Sequence, residues 1–269
     1  MAALTGPATT RGEATLRQVV LLVVGAYLLL PLLAMLEFST RGPRGTRGLA
    51  SWAQIGTNPD LVRAIWVQVE LAVLTVALTL ALLVPTMVLV QLRLPRLVRA
   101  VEIVCLLPLT IPAIVLVVGL APVYAWVTRL FGESALTLTF VYAVLVLPFA
   151  YRAIASGLSA IDLVTLAEAA RGLGCSWPGV VWRIVVPNIR GSLIAAALIG
   201  VALVLGEFTI SSLLAFDTLQ VVINLIGKRN AGVAVAVSLA ALLLAFTLLL
   251  ALSFVDRPAR RSVSAEDPA

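Results

Sequence analysis

The 269 residues are 61% hydrophobic and only 12% charged, against roughly 45–50% apolar and 25% charged in soluble domains. A chain this apolar lacks the polar surface to cover itself in water, so the composition excludes an ordinary soluble domain and makes lipid the solvent. The net charge of +6, from 19 Lys+Arg and 13 Asp+Glu, lies between apolar runs and so addresses anionic headgroups and no nucleic acid, and the absence of His removes the commonest metal ligand and general base.

Residues 1–18 read as a polar tail. The first apolar run, Val19–Phe38, is too long for a signal-peptide core and no small-residue cleavage site follows it, so it reads as a retained helix. A Gly-rich stretch holding Arg41, Arg44 and Arg47 reads as a flexible exposed loop. Asn58 and Pro59 signal a helix start, and Leu61, Val62, Ile65 and Trp66 then recur at helical spacing. They form either a short interfacial helix or the beginning of the second run, Val67–Val90. Further runs follow at Val101–Val127, Leu136–Tyr151, Ile194–Leu214 and Ala231–Phe254. Lipid offers the backbone no partners and the alternation of barrel strands is missing, so each run is expected to be a helix. Pro85, Pro108, Pro112, Pro122 and Pro148 fall inside these runs or near their ends, as ordinary kinks or as gating hinges. The expectation is an all-α membrane protein with six transmembrane helices over 19–254 and a second tail at 255–269.

An even number of spans places both termini on one side. The larger share of Lys and Arg, including Arg93, Arg96, Arg99, Arg152, Arg171, Arg183 and Arg190, falls on segments sharing that side, which the positive-inside rule makes cytoplasmic. Cys105 lies in an apolar run and Cys175 in a polar loop, which is no disulfide framework.

Residues 152–193 stay out of the membrane instead of making a short turn, and long loops in compact domains are usually functional. Leu158, Ile161, Leu166 and Ala169 recur at helical spacing over Leu158–Leu173, and Ser176 caps a second pattern, Val180–Val186, with Pro178 in its first turn. That second pattern is too short to span and is stopped by Pro187, so it should lie flat under the membrane. Between the two runs Glu168, Ala169, Ala170, Arg171, Gly172, Leu173 and Gly174, a corner of small residues where Gly174 permits a sharp change of direction.

The order Glu168-Ala169-Ala170, then Gly174, Ile184 and Val186-Pro187 resembles the cytoplasmic signature of the permease subunits of bacterial ABC importers, with Val186 in place of the usual Leu. The resemblance implies a MetI-like, type I importer transmembrane domain in the inner membrane. Its loop forms a coupling helix seated on a separate ATPase, with Glu168, Ala169, Ala170, Arg171 and Gly174 as docking residues and none catalytic. The implied partners are an ABC ATPase dimer, a second permease subunit and an extracytoplasmic substrate-binding protein. ATP and Mg would bind the ATPase, leaving no cofactor or metal in this chain. In keeping with that, the Gly227-Lys228 pair is followed by Arg229 and has no Gly at position 222, so it is no phosphate-binding loop.

The Ala-Ala-Arg-Gly-Leu-Gly variant and the run Leu205-Gly206-Glu207-Phe208-Thr209 look like the branch serving polyamines, iron, thiamine, sulfate, molybdate and phosphonates, with polyamine as first choice. An ionisable residue inside a span is by default functional. Glu207, with Ser211 one turn on, is therefore expected either in the pathway or gate or as a tie between helices. An ion-coupled secondary transporter would share the hydropathy but leaves the long loop unexplained, and an intramembrane enzyme lacks a His or Gly-x-Ser-x-Gly site.

Overall fold

The computed structural model describes residues 11–42 and 46–255; Arg44 and the outer parts of both tails, 1–10 and 256–269, lie outside the described residues. Among the described residues every named element is helical. The chain runs through α1 (Arg11–Ser39), α2 (Ala50–Thr57), α3 (Pro59–Arg93), α4 (Val98–Leu106), α5 (Ala113–Phe131), α6 (Leu138–Ser159) and α7 (Leu163–Gly172). It continues through α8 (Trp177–Gly179), a π-wound turn Val180–Val185, α9 (Val186–Asn188), α10 (Arg190–Gly206), α11 (Thr209–Leu213), α12 (Leu219–Gly227) and α13 (Ala231–Val255). Four helices, Thr15–Ser39, Pro59–Arg93, Ala113–Phe131 and Ala135–Ser159, are long and apolar enough to cross a membrane, and Trp177–Asn188 with Arg190–Gly206 makes a fifth candidate bent by 81°. The sixth predicted run is covered by α13.

Local chemistry explains where helices begin. The Asn58 side chain accepts from the amides of Asp60 and Leu61, and Pro59 occupies the first turn, where its missing N–H costs nothing. The pattern at Leu61–Trp66 therefore belongs to the second run, and the separate short helix is α2, just before it. Pro85, Pro122 and Pro148 are carried inside continuous helices.

Two predicted spans are corrected. Val101–Val127 is not one helix: α4 gives way to a 3-10 turn at Leu107–Thr110, and α5 starts only at Ala113. Pro108 and Pro112 remove two donors, and Ile111, the residue before Pro112, is pushed to an extended conformation. Ile194–Leu214 likewise stops at Gly206, with Glu207 extended before α11. The Leu158–Leu173 pattern also divides, between Ser159 and Leu163.

The centre is a three-helix contact of α3, α6 and α10. Tyr142, Val146 and Ile154 of α6 are buried there with Leu71 and Val88 of α3 and Val204 of α10. Gly200 permits the approach, since a Cβ on it would lie 3.0 Å from Val76 and 3.2 Å from Val146. A smaller cluster joins Leu61 of α3 to Val222 and Ile223 of α12 and Val233 of α13. The long side chains of α1 stay exposed from Val19 to Leu30, and its principal neighbour is α13.

The loops collect at two ends. Arg41 and Arg47 share a cleft with Asn230 and Gly232, while Asp60 and Arg63 share another with Asp217, Lys228 and Arg229. The opposite end of α3 brings Arg93 to Trp177. Where the arginine loop is described, on either side of residues 43–45, it is tied down by side chains. Glu37 accepts ion pairs from Arg41 at 2.9 Å and Arg47 at 3.4 Å, and the Gly42 amide donates to the Thr46 carbonyl.

Candidate functional site

Two corners hold the predicted site residues, and α3 reaches both. The first is built on α7. Asp162 caps it, accepting from the Thr165 amide at 3.2 Å and the Thr165 hydroxyl at 2.6 Å, and these bonds hold the carboxyl below its ordinary range. Leu163, Ala167 and Ala170 face inward, against the π-wound turn.

At its other end α7 stops in a Schellman motif. The Gly174 amide donates to the Arg171 carbonyl and the Cys175 amide to the Ala170 carbonyl, with Gly174 at φ +84°. Glycine is needed here for its left-handed backbone, because nothing in the chain lies within 4 Å of where a Cβ would stand. Arg171 closes the corner by donating to the Cys175 carbonyl at 2.7 Å and lying 5.2 Å from the Trp177 ring centroid. Ser176 then caps the next helical stretch, accepting from the Gly179 amide. Val180–Val185 is π-wound just before Pro187, which has no N–H to continue the ladder, and Asn188 donates to the Ile184 carbonyl.

Glu168, Ala169, Arg171 and Gly174 are exposed together on this corner, and Ala170 is turned inward. Spacing alone missed Leu173, which stands 90% exposed at the tip. An isolated apolar side chain beside two glycines was the available signal.

The second corner interrupts the chain between α10 and α12. Glu207 is buried, and its carboxylate accepts from the Tyr142 hydroxyl at 3.0 Å, the Ile210 amide at 2.8 Å and the Ser211 amide at 3.3 Å. It thereby supplies the first amides of α11 and ties α6 to the break. Ser211 is fully buried, donates to the Phe208 carbonyl and accepts from Thr218. The chain leaves α11 in a second left-handed turn, with Ala215 at φ 60° and the Phe216 amide on the Ser211 carbonyl.

Breaking α10 frees carbonyls that lipid cannot satisfy. Two amide side chains take them. Gln68 of α3 is fully buried, donates to the Val204 carbonyl and accepts from the Leu219 amide at 3.2 Å, while Gln220 donates to the Leu205 carbonyl at 2.7 Å. Sequence reasoning missed Gln68 and Tyr142; a buried-type amide inside an apolar run was the signal for the first. It also passed over Glu70, an exposed carboxylate on α3 one turn from Trp66.

The family model described as Binding-protein-dependent transport system inner membrane component matches residues 77–261, about two thirds of the chain. No curated protein matches it significantly.

Proposed function

We propose, from the premise that the chain belongs to the family of binding-protein-dependent transport system inner membrane components, that the α7 corner docks on a separate ATPase and that the Glu207 corner borders the transport path. As a member of that family the chain is a multi-pass permease subunit of an ABC importer, and in this reading a partner supplies the chemical energy. In this reading six spans form half of a two-fold pathway, both termini are cytoplasmic, and a second permease subunit and an extracytoplasmic binding protein complete the machine.

The observation behind the docking role is the combination of exposure and rigidity at one helix end. Glu168, Ala169, Arg171, Leu173 and Gly174 are presented outward, while Asp162, the Schellman turn and the Arg171–Cys175 bond hold their backbone. A fixed backbone, with Ala169 and Gly174 leaving room beside it, lets a partner surface approach at little ordering cost. The test is reconstitution. Purified from its membrane, the chain should come with an ATPase, and Glu168→Lys should leave ATP hydrolysis running without uptake. Transport by this subunit in vesicles lacking any ATPase would overturn the reading.

Polyamine is the proposed substrate class, supported by the likeness of the Gly206-Glu207-Phe208-Thr209-Ile210-Ser211 run; iron, thiamine, phosphonate and oxyanions are the alternatives. Spermidine uptake by cells carrying the intact importer is the measurement, and its absence while another of these solutes enters would replace polyamine.

A further inference from the structure

We propose that α3 is a brace that carries movement of the docking corner to the Glu207 corner, with Arg93 at its last residue and Gln68 in its third turn as positioning residues. The proposal rests on the docking role given above to the α7 corner. α3 runs unbroken from Pro59 to Arg93, through Pro85. Gln68 and Arg93 are separated by about 37 Å of helix at 1.5 Å per residue, a length that joins the two corners.

Both corners are fastened to α3 by side chains that belong to no motif. At one end the Arg93 guanidinium lies 4.2 Å from the centroid of Trp177, the residue that follows Ser176 out of the docking corner. Trp177 also receives Arg171 from the far side of Gly174, so one ring links α3 to both arms of the turn. About seven turns back along α3, Gln68 spans the interruption between α10 and α12, donating to Val204 and accepting from Leu219. An amide used at both its donor and acceptor ends, in a fully buried position, moves with its partners.

A second route exists, because α10 itself leads from the docking side to Glu207. That route passes through the 81° bend at Ile189. A bend can absorb rotation, whereas α3, which stays helical through Pro85 between Gln68 and Arg93, passes a shift at one of these contacts along to the other. The brace therefore predicts that cutting the Arg93 contact isolates the Glu207 corner although α10 is intact.

The experiment uses the complex purified with its ATPase, with Cys105 and Cys175 replaced by Ser and single reporter cysteines at Leu173 or Ser212, which are exposed at the two corners. Maleimide labelling is timed without nucleotide and with ATP, Mg and vanadate. Leu173→Cys should be shielded by the bound ATPase in every background, and Ser212→Cys should change its rate with nucleotide. In Arg93→Gln that change should fall by about threefold, in line with loss of a cation–ring contact at an exposed site, and Arg93→Lys should restore it. If Leu173→Cys labels as fast with the ATPase as without, the docking role fails, and the brace with it. If Leu173→Cys is shielded but Ser212→Cys responds equally in Arg93→Gln, α10 carries the signal and the brace alone is overturned.

Discussion

Glu207 accepts from one hydroxyl and two amides, and each of those donors needs it. Ile210 and Ser211 open α11 without helical partners for their N–H groups, and Tyr142 is buried in α6. Hydrogen bonds to a charged group contribute about 1.5–3 kcal/mol, more than the roughly 1 kcal/mol of neutral ones. Glu207→Gln should therefore lower the melting temperature of the purified complex more than Tyr142→Phe does. A Glu207→Gln complex that melts like the parent yet takes up no spermidine would place the carboxylate in the path instead of the scaffold. Gly174 can be separated in the same way. A β-branched residue at φ +84° costs about 1–2 kcal/mol, while Asn tolerates the left-handed region. Gly174→Val should weaken ATPase recovery in pull-downs. Gly174→Asn should retain it if only the turn matters and lose it if the partner needs the vacant space beside the glycine.

Helix starts were readable from neighbours in sequence, because caps act over two or three residues. Asn58-Pro59-Asp60 and Ser176-Trp177-Pro178 both begin helices as their chemistry requires. The breaks were harder. Around Glu207 the run is apolar on every side, so no periodicity marks where helix gives way, and what stabilises the break comes from Tyr142 and Gln68, 65 and 136 positions away from their acceptors. Such pairings are not written in local spacing. The small-residue corner at the end of α7 was visible in the order of residues, yet the reason for its glycine, a Schellman turn facing open space, lies in backbone angles that spacing does not carry. The second left-handed turn offers an element-scale test. Ala215 occupies φ 60° without being glycine. Ala215→Gly should relieve about 1 kcal/mol of strain and raise the melting temperature of the complex; a decrease would mean the methyl group packs well enough to outweigh the strain.

At the scale of the molecule, charge separates from mechanism. Asp60, Arg63, Asp217, Lys228 and Arg229 line one cleft at the end opposite Trp177, and among the described residues none of them forms an ion pair. Charges left open in this way attract a complementary surface over a range set by the Debye length, about 10 Å at 0.1 M salt. Binding of the extracytoplasmic protein to the assembled importer should weaken as salt rises, and Arg63→Glu with Lys228→Glu should flatten that dependence; an unchanged salt slope would move the contact elsewhere. The pairing of α1 with α13 bears on how such a molecule is made. At roughly 5–20 residues per second, about ten to forty seconds of synthesis separate the end of α1 from the start of α13. The earliest helix thus waits in the bilayer for the latest, and its exposed apolar stretch from Val19 to Val24, with no polar side chain that would need a partner, suits it to wait in lipid alone. A nascent chain halted before Ala231 should accordingly hold every central contact of α3, α6 and α10 while its first helix still drifts free.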